Sequence, residues 1–271
     1  MILVLSILAS IAIWSFMVSW KYALVIVGSI LIHEYGHFYW MGREGIKEKD
    51  MFFIPPFGAV ARSKEMWPNR GAESRIALAG PVFGLISVLV FLIPWLLSHN
   101  PLFAASIVLA SYINLFNLLL PIAILDGGRV MKSILFSINT TLGKIFYTLG
   151  FLILGFMLLY GVNVIFVFLV GFVLWQEYSA CVSAEINLNK INGALDQAKD
   201  LHDSASIILT ERLEGLKTKL ELFLYPKPMS WFEIFYSISI YIVSIILYTL
   251  AILYAKNFIN LNIYTLTDYF R

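Results

Sequence analysis

Charged residues are scarce in this chain of 271 residues, and so is cysteine. Asp, Glu, Lys and Arg make up 13% of the sequence, which is about half of the ~25% usual in soluble domains. Hydrophobic residues make up 60%, and this balance argues against a water-soluble globular protein. The single cysteine, Cys181, excludes an intrachain disulfide framework and a thiolate zinc cluster within one chain. The net charge of +2 gives no indication of nucleic-acid binding.

Long apolar runs take the place of the missing charge. A helix needs about 20 apolar residues to cross the hydrocarbon core of a bilayer. The runs that have this length or nearly so are 2–20, 22–41, 76–97, 102–125, 145–176 and 234–255. The run 145–176 is too long for one ordinary helix, and "YGVN" at 160–163 predicts a turn that divides it. The sequence therefore predicts an all-α polytopic membrane protein with about seven transmembrane helices.

The basic residues lie in alternate connections between these runs. Most Lys and Arg are in the segments 42–75, 126–144 and 182–233. The positive-inside rule assigns these connections to the cytoplasm, which places residues 33–37 and Asp126 near the cytoplasmic ends of their helices. We expect an integral multi-pass protein with its active site toward the cytoplasmic side. No transit-like presequence is visible, which favours a prokaryotic plasma (inner) membrane, and an organellar membrane stays open as the alternative.

The polar residues of the second run form the motif "IHEYGH" at residues 32–37. On a helix, His33 and His37 lie one turn apart on the same face. Their imidazoles can therefore hold one Zn²⁺ and leave positions for a third ligand and a water. Glu34 would point toward that water and suits the role of general base. Ionisable side chains within a membrane indicate function, and the alternative is a structural hydrogen-bond cluster that joins helices.

The third zinc ligand is not decided by spacing. His99 lies in an outside connection, and His202 lies in the polar segment, where a solvated surface explains it. Asp126, in "NLLLPIAILDGGRV" (117–130), closes an apolar span at the matching depth. A helix-end aspartate followed by a Gly-Gly turn explains the same residues equally well. Both interpretations stay open on the residues alone.

Four segments resemble motifs of the site-2 protease family of intramembrane zinc metalloproteases, in the order found in that family. They are "HEYGHFYWMGREGIK", "FIPPFGAVAR" (53–62), "IALAGPVFGL" (76–85) and "PIAILDGGR". The resemblance implies that Asp126 joins His33 and His37 as a ligand of one Zn²⁺ per chain. It also implies a small re-entrant β-hairpin-like loop near 52–62, which would hold an unwound substrate.

The resemblance further implies which residues would bind a substrate. An asparagine of the fourth span would hold a substrate carbonyl, and either Asn117 or Asn114 fits that place. Phe57 and Gly58 belong to the loop that would face the substrate. These four residues are the candidate substrate-binding set.

The sequence predicts five segments. They are an N-terminal transmembrane helix (1–21), a catalytic core of three transmembrane helices with both motifs (22–144), two further transmembrane helices (145–181), a cytoplasmic amphipathic segment (182–233), and a C-terminal transmembrane helix with its tail (234–271). The pattern of 182–233 predicts one or two helices interrupted near Gly193 and Ser204. A solvated linker explains this segment as well as a surface for a regulator or for self-association does.

These features together predict an intramembrane zinc metalloprotease acting in regulated intramembrane proteolysis. Its expected partners are a transmembrane protein substrate and the lipid bilayer, with no nucleic acid. Two other functions stay open. One is a membrane metal-ion transporter, although transporters usually distribute polar residues along a path through the bilayer. The other is a catalytically silent membrane binding protein.

Overall fold

Helices make up most of the chain, and one small hairpin of strands follows the second helix. The computed structural model describes residues 2–56, 58–199, 204–224, 226–259 and 267–270. The elements are α1 Ile2–Met17, α2 Trp20–Arg43, β1 Lys49–Ile54, β2 Gly58–Ser63, α3 Arg70–Ser98, α4 Pro101–Leu119, α5 Asp126–Ile138, α6 Thr140–Leu159, α7 Val164–Lys199, α8 Ser204–Leu224, α9 Trp231–Ala255 and a 3₁₀-helix Thr267–Phe270.

Five of the described helices are long and apolar enough to cross a membrane, namely α3, α4, α6, α7 and α9. Helix α1 is apolar but shorter, with 16 residues. Helix α2 has the length for a crossing, and the polar side chains of its HEYGH motif lower its mean hydropathy. The apolar helices support a membrane protein, whereas the predicted count of about seven crossings is not confirmed.

The loop predicted near 52–62 is a two-stranded antiparallel sheet. Strand β1 pairs with β2 in a register that sets Met51 opposite Ala61 and Ile54 opposite Gly58. Gly58 begins β2 with a φ of 126°, a backbone conformation that favours glycine. Phe57, the other loop residue expected to face a substrate, lies outside the described residues.

Asp126 begins a helix instead of closing one. Helix α4 ends before it, and Asp126 is the first residue of α5. Gly127 and Gly128 lie in the first turn of α5, where added Cβ atoms would clash with the carbonyl oxygens of Leu118 and Ile122. These glycines therefore let α5 start directly against the end of α4 and the connection after it. The interpretation of a helix-end aspartate followed by a Gly-Gly turn is wrong.

The turn predicted at 160–163 is confirmed. Helix α6 ends at Leu159 and α7 begins at Val164. Between them, Gly161 has a φ of 76°, which favours glycine over residues with a side chain. Asn163 accepts hydrogen bonds from the amides of Ile165 and Phe166 at 2.9 and 3.2 Å, and such bonds stabilise the start of a helix.

Helix α7 is one continuous helix of 36 residues, so it crosses the predicted segment boundary at 181–182. The interruption predicted near Gly193 is wrong. The helix continues through Gly193, and an apolar cluster that includes Leu188 of α7 and Leu224 of α8 packs the two helices together. Helix α8 begins at Ser204, where the second break was expected, and the connection before it lies outside the described residues.

The helices that carry the two motifs pack closely on α3. Helix α2 meets α3 at Gly36, where a Cβ would clash with the carbonyl oxygen of Ala79. Arg75 of α3 pairs with Glu44, the residue after α2, at 2.7 Å and with Glu233 of α9 at 2.8 Å. Helix α3 also contacts α4 and α5, so it forms the wall on which the other motif-bearing elements assemble.

Candidate metal centre

Two imidazoles lie side by side on helix α2. His33 and His37 are one helical turn apart, as their spacing predicts, and their Nε2 atoms are 3.1 Å from each other. Both residues are buried, with 3% and 4% of their surface exposed. The two nitrogens therefore face an interior space between helices and not the surface of the protein.

The carboxylate of Asp126 completes the cluster. Its Oδ2 lies 2.9 Å from Nε2 of His33, and its Oδ1 lies 3.2 Å from Nε2 of His37. One ligand atom from each of the three residues lies within 4.8 Å of the other two. Helices α2 and α5 thus bring together the side chains that the two sequence motifs supply.

Hydrogen bonds at the outer ring nitrogens define the tautomer of both imidazoles. Nδ1 of His37 lies 2.7 Å from the carbonyl oxygen of Ile76, which can only accept, so this nitrogen carries the proton. Nδ1 of His33 lies 2.7 Å from Oδ1 of Asn114. The amide nitrogen of Asn114 donates to the carbonyl of Ala110, which assigns its oxygen to His33. In the neutral rings, both Nε2 atoms therefore carry a free lone pair.

Two lone pairs and a carboxylate at these distances repel one another unless protons or a metal ion lie among them. Neutral imidazole is the commonest metal ligand of proteins. Two imidazole nitrogens with one carboxylate form a donor set typical of catalytic zinc, which keeps a further position for water. The hydrogen bonds at Nδ1 are those found behind metal-ligating histidines. The residues present therefore fit Zn²⁺.

Glu34 lies beside this cluster and contacts the hairpin. Its Oε2 accepts a hydrogen bond from the backbone amide of Ala61 in β2, at 2.8 Å. The structure thus gives Glu34 a partner outside the group of His33, His37 and Asp126. The motif spacing predicts a carboxylate next to the metal, whereas the contact with β2 depends on tertiary structure.

Comparisons with known proteins agree with this geometry over part of the chain. Residues 21–101, which span α2, the hairpin and α3, match the family model described as peptidase family M50. The resemblance to the site-2 protease family is confirmed. The match ends before Asp126, so the place of that residue in the site rests on the distances above.

Curated relatives match short stretches of this chain. A zinc metalloprotease of Methanocaldococcus jannaschii is 31% identical over 112 residues, which are 40% of this chain and 32% of that protein. A protein of Arabidopsis thaliana named probable zinc metalloprotease, chloroplastic, is 35% identical over 82 residues, 28% of this chain and 15% of that protein. The chain therefore spans about a third or less of the length of these curated relatives. No solved structure matches the chain significantly.

Both asparagines suggested by the site-2 protease resemblance contact the cluster. Asn117 donates to Oδ2 of Asp126 at 2.7 Å, and its amide nitrogen lies 3.2 Å from Nε2 of His33. Asn114 is fully buried, and its two polar atoms are used by His33 and Ala110. These contacts support a positioning role for Asn114. That either asparagine binds substrate stays a prediction.

Two glycines of α3 make room for the centre. A Cβ at Gly80 would meet the Nε2 atoms of both histidines, and a Cβ at Gly84 would clash with Oδ1 of Asn114 and meet the hydroxyl of Tyr248. Gly80 belongs to the "AGP" segment typical of the site-2 protease family, but the motif alone predicts no role for it. A small residue within an apolar helix is a signal of close approach, and this one lies against the Nε2 atoms of both histidines.

His99 does not take part in the cluster. His99 follows the last residue of α3. It is 19 positions after Gly80 in the sequence, which corresponds to about 28 Å along a helix. His202 lies outside the described residues.

A second buried group of charges connects α5 to its neighbours. Lys132 of α5 lies 2.6 Å from carboxylate oxygens of both Glu73 in α3 and Glu177 in α7. Glu73 also pairs with Arg70 at 3.1 Å. The group borders a cavity of about 360 Å³. These ion pairs attach the helix that begins with Asp126 to two other helices.

Proposed function

We propose that this chain is a membrane zinc metalloprotease that hydrolyses a peptide bond within or near the transmembrane segment of a membrane-protein substrate. The observation that carries the proposal is the convergence of His33, His37 and Asp126 beside Glu34. The family match and the names of the relatives, each a zinc metalloprotease, support it. Regulated intramembrane proteolysis is the setting in which we place this activity.

The donor set assigns a role to each residue of the site. One Zn²⁺ per chain would be held by Nε2 of His33, Nε2 of His37 and a carboxylate oxygen of Asp126. Bound there, the ion would lower the pKa of a water molecule to about 7 and polarise the scissile carbonyl. The Glu34 carboxylate would accept a proton from that water and pass it to the leaving amine. The hydrogen bonds at Nδ1 hold both imidazoles in the coordinating tautomer.

The hairpin is the proposed substrate-binding element. A transmembrane helix bonds its own backbone groups, so a substrate must unwind locally before a carbonyl becomes accessible. We infer that strand β2, which begins at Gly58, holds the unwound segment by strand addition. Phe57 stays a predicted substrate contact. Asn117 is the better placed of the two asparagines to reach a substrate carbonyl, because its amide lies 3.2 Å from Nε2 of His33.

The distribution of basic residues supports a cytoplasmic orientation of the site in a prokaryotic plasma membrane. In this orientation the segment 182–233 lies in the cytoplasm. Helix α8 there exposes Leu209, Leu216 and Phe223, seven residues apart, by 49%, 51% and 44%. This apolar row supports the proposal that the segment contacts a regulator or a second copy of the chain.

Glu34→Gln tests the proposed function, because it keeps the side-chain size and removes the basic carboxylate. In liposomes, we expect this variant to retain one zinc per chain by metal analysis. We also expect it to lose cleavage of single-span membrane proteins reconstituted with it. Glu214→Gln, at an exposed position of α8, is the matched control and should cleave as the unmodified protein does. Undiminished cleavage by Glu34→Gln would contradict the proposed role.

The same liposomes separate the other two functions. Zinc flux across the membrane without cleavage by the unmodified protein would favour a metal-ion transporter. Stoichiometric zinc with neither flux nor cleavage would favour a silent binding protein.

A further inference from the structure

Strand β2 has one edge paired with β1, and among the described residues its other edge pairs with no strand. The amide of Lys64 donates to the carbonyl of Glu48 at 3.0 Å, immediately beyond the hairpin, and this bond defines the phase of the ladder. In an antiparallel pair, every second residue turns its N–H and C=O groups away from the partner strand. With this phase and the observed register, the outward residues of β2 are Ala59, Ala61 and Ser63.

The corresponding edge of β1 is covered. The amide of Phe53, which points outward from β1, donates to Oγ of Ser6 in α1 at 3.0 Å. Lys49, at the start of β1, donates from Nζ to the carbonyl of Phe38 in α2 at 2.8 Å. These contacts anchor β1 to two helices and leave β2 as the edge where a further strand could add.

The central outward amide of β2, that of Ala61, already has an acceptor. Ala61 donates its backbone N–H to Oε2 of Glu34 at 2.8 Å. Within the part of the chain that the structure describes, the amides of Ala59 and Ser63 have no such acceptor. The carboxylate proposed as the general base therefore occupies one position of the edge proposed to bind the substrate.

We propose that the N–H of Ala61 holds Glu34 while no substrate is bound and passes to a substrate carbonyl when a substrate strand adds to β2. This inference rests on the proposed function. An added strand lies about 4.8 Å from its neighbour and bonds to the outward N–H groups. It cannot form at this position while Glu34 accepts from the same N–H. Strand addition therefore frees the Glu34 carboxylate when the peptide is in place.

The competition selects for one kind of substrate segment. A hydrogen bond from an N–H to a carboxylate is about twice as strong as a neutral one, so a weak acceptor does not displace Glu34. Carbonyls of an intact helix are bonded within the helix, and they do not compete. An unwound stretch presents several unbonded carbonyls in register with β2, and these together replace the single bond to Glu34.

Peptide binding tests the competition. The probe is a fluorescent transmembrane peptide of about 24 Leu and Ala residues with a central Asn-Gly pair, and the control peptide has Leu at both central positions. Binding is measured with the full chain in detergent after chelator treatment, so that no peptide is cut. We expect Glu34→Ala to tighten binding of the Asn-Gly peptide by about tenfold, because no bond to the carboxylate must be broken. Glu34→Gln, which keeps a neutral acceptor, should tighten it less, and the control peptide should show neither effect.

Proline variants assign the effect to one amide. Ala61→Pro removes the shared N–H, and edge strands accept proline where the N–H points outward. In this background Glu34→Ala should leave peptide affinity unchanged. In an Ala59→Pro background, which removes an outward amide that Glu34 does not contact, Glu34→Ala should still tighten binding. Equal tightening in the Ala61→Pro background, or no tightening in the unmodified background, would overturn the proposal.

A spectroscopic measurement needs no proline variant. Val60–Ala61 is the one Val-Ala pair in the sequence, so labelling with ¹³C-carbonyl valine and ¹⁵N-alanine isolates the Ala61 amide signal. Glu34→Ala should shift this signal in the peptide-free protein and leave it unchanged at saturating Asn-Gly peptide. An Ala61 amide signal that does not move on Glu34→Ala substitution, or does not move on peptide binding, would refute the competition. Neither measurement involves cleavage. A failure here would therefore refute the competition alone, and the proposed hydrolysis would still be tested by the Glu34→Gln cleavage assay.

Discussion

Gly80→Ala is expected to damage zinc binding without removing any ligand. The added Cβ would lie 2.7 Å from Nε2 of His33 and still closer to Nε2 of His37. These distances are well inside ordinary van der Waals contact. The rings cannot withdraw freely, because their Nδ1 atoms are bonded to Asn114 and to the carbonyl of Ile76. The methyl group and a metal ion would therefore compete for the same space.

The expected loss is about 10- to 100-fold in zinc affinity, the range found when groups that orient metal ligands are changed. This corresponds to about 1.4 to 2.7 kcal/mol. Affinity is measured by competition with a chromogenic chelator in detergent, and zinc content by metal analysis after dialysis. Cleavage should fall in proportion to the bound zinc.

Gly28→Ala is the matched control for Gly80→Ala. It makes the same change within α2, where an added Cβ has no neighbour within 4 Å. It should leave zinc affinity unchanged and stabilise the helix by about 0.5–1 kcal/mol. Equal zinc affinities for both variants would show that the space beside Gly80 is not where the metal binds.

Three further substitutions test contacts described above. Asn114→Ala should weaken zinc binding by about 10-fold or more in the chelator assay, because the imidazole of His33 loses the acceptor that orients it. Asn114→Asp keeps an acceptor and should weaken zinc binding less. Lys132→Met should lower the thermal unfolding midpoint, because the buried negative charge of Glu73 loses one of its positive partners. Adding Glu73→Gln removes that charge and should recover part of the loss. An unchanged midpoint in Lys132→Met would argue against the buried pair. Ser6→Ala should cost about 1 kcal/mol by removing the acceptor of the Phe53 amide, and faster hydrogen exchange in β1 would report it.

The sequence predicts the main features of the site because burying ionisable groups in an apolar run is expensive. His33, Glu34 and His37 stand out for this reason, and helical spacing alone places the two imidazoles on one face. The position of Asp126 depends on how α5 packs against α4. The residues alone left its role open, and the family resemblance suggested it.

Features that depend on packing between distant segments were not predictable from local pattern. Gly80 borders the two imidazoles only because α3 lies against α2 at that point. Gly193 was expected to interrupt a helix, yet α7 continues through it, and apolar side chains of α7 such as Leu188 pack against α8. The bond from Ala61 to Glu34 likewise depends on where the hairpin sits, which no spacing in the sequence reveals.

The length of α7 has a geometric consequence. Its 36 residues form a helix about 54 Å long, whereas the hydrocarbon core of a bilayer is about 30 Å thick. If α7 crosses the bilayer along its normal, about 24 Å of the helix extends beyond the hydrocarbon core. Glu177 of α7 forms an ion pair with Lys132 of α5 at 2.6 Å. This ion pair joins the long helix directly to the helix that starts with Asp126.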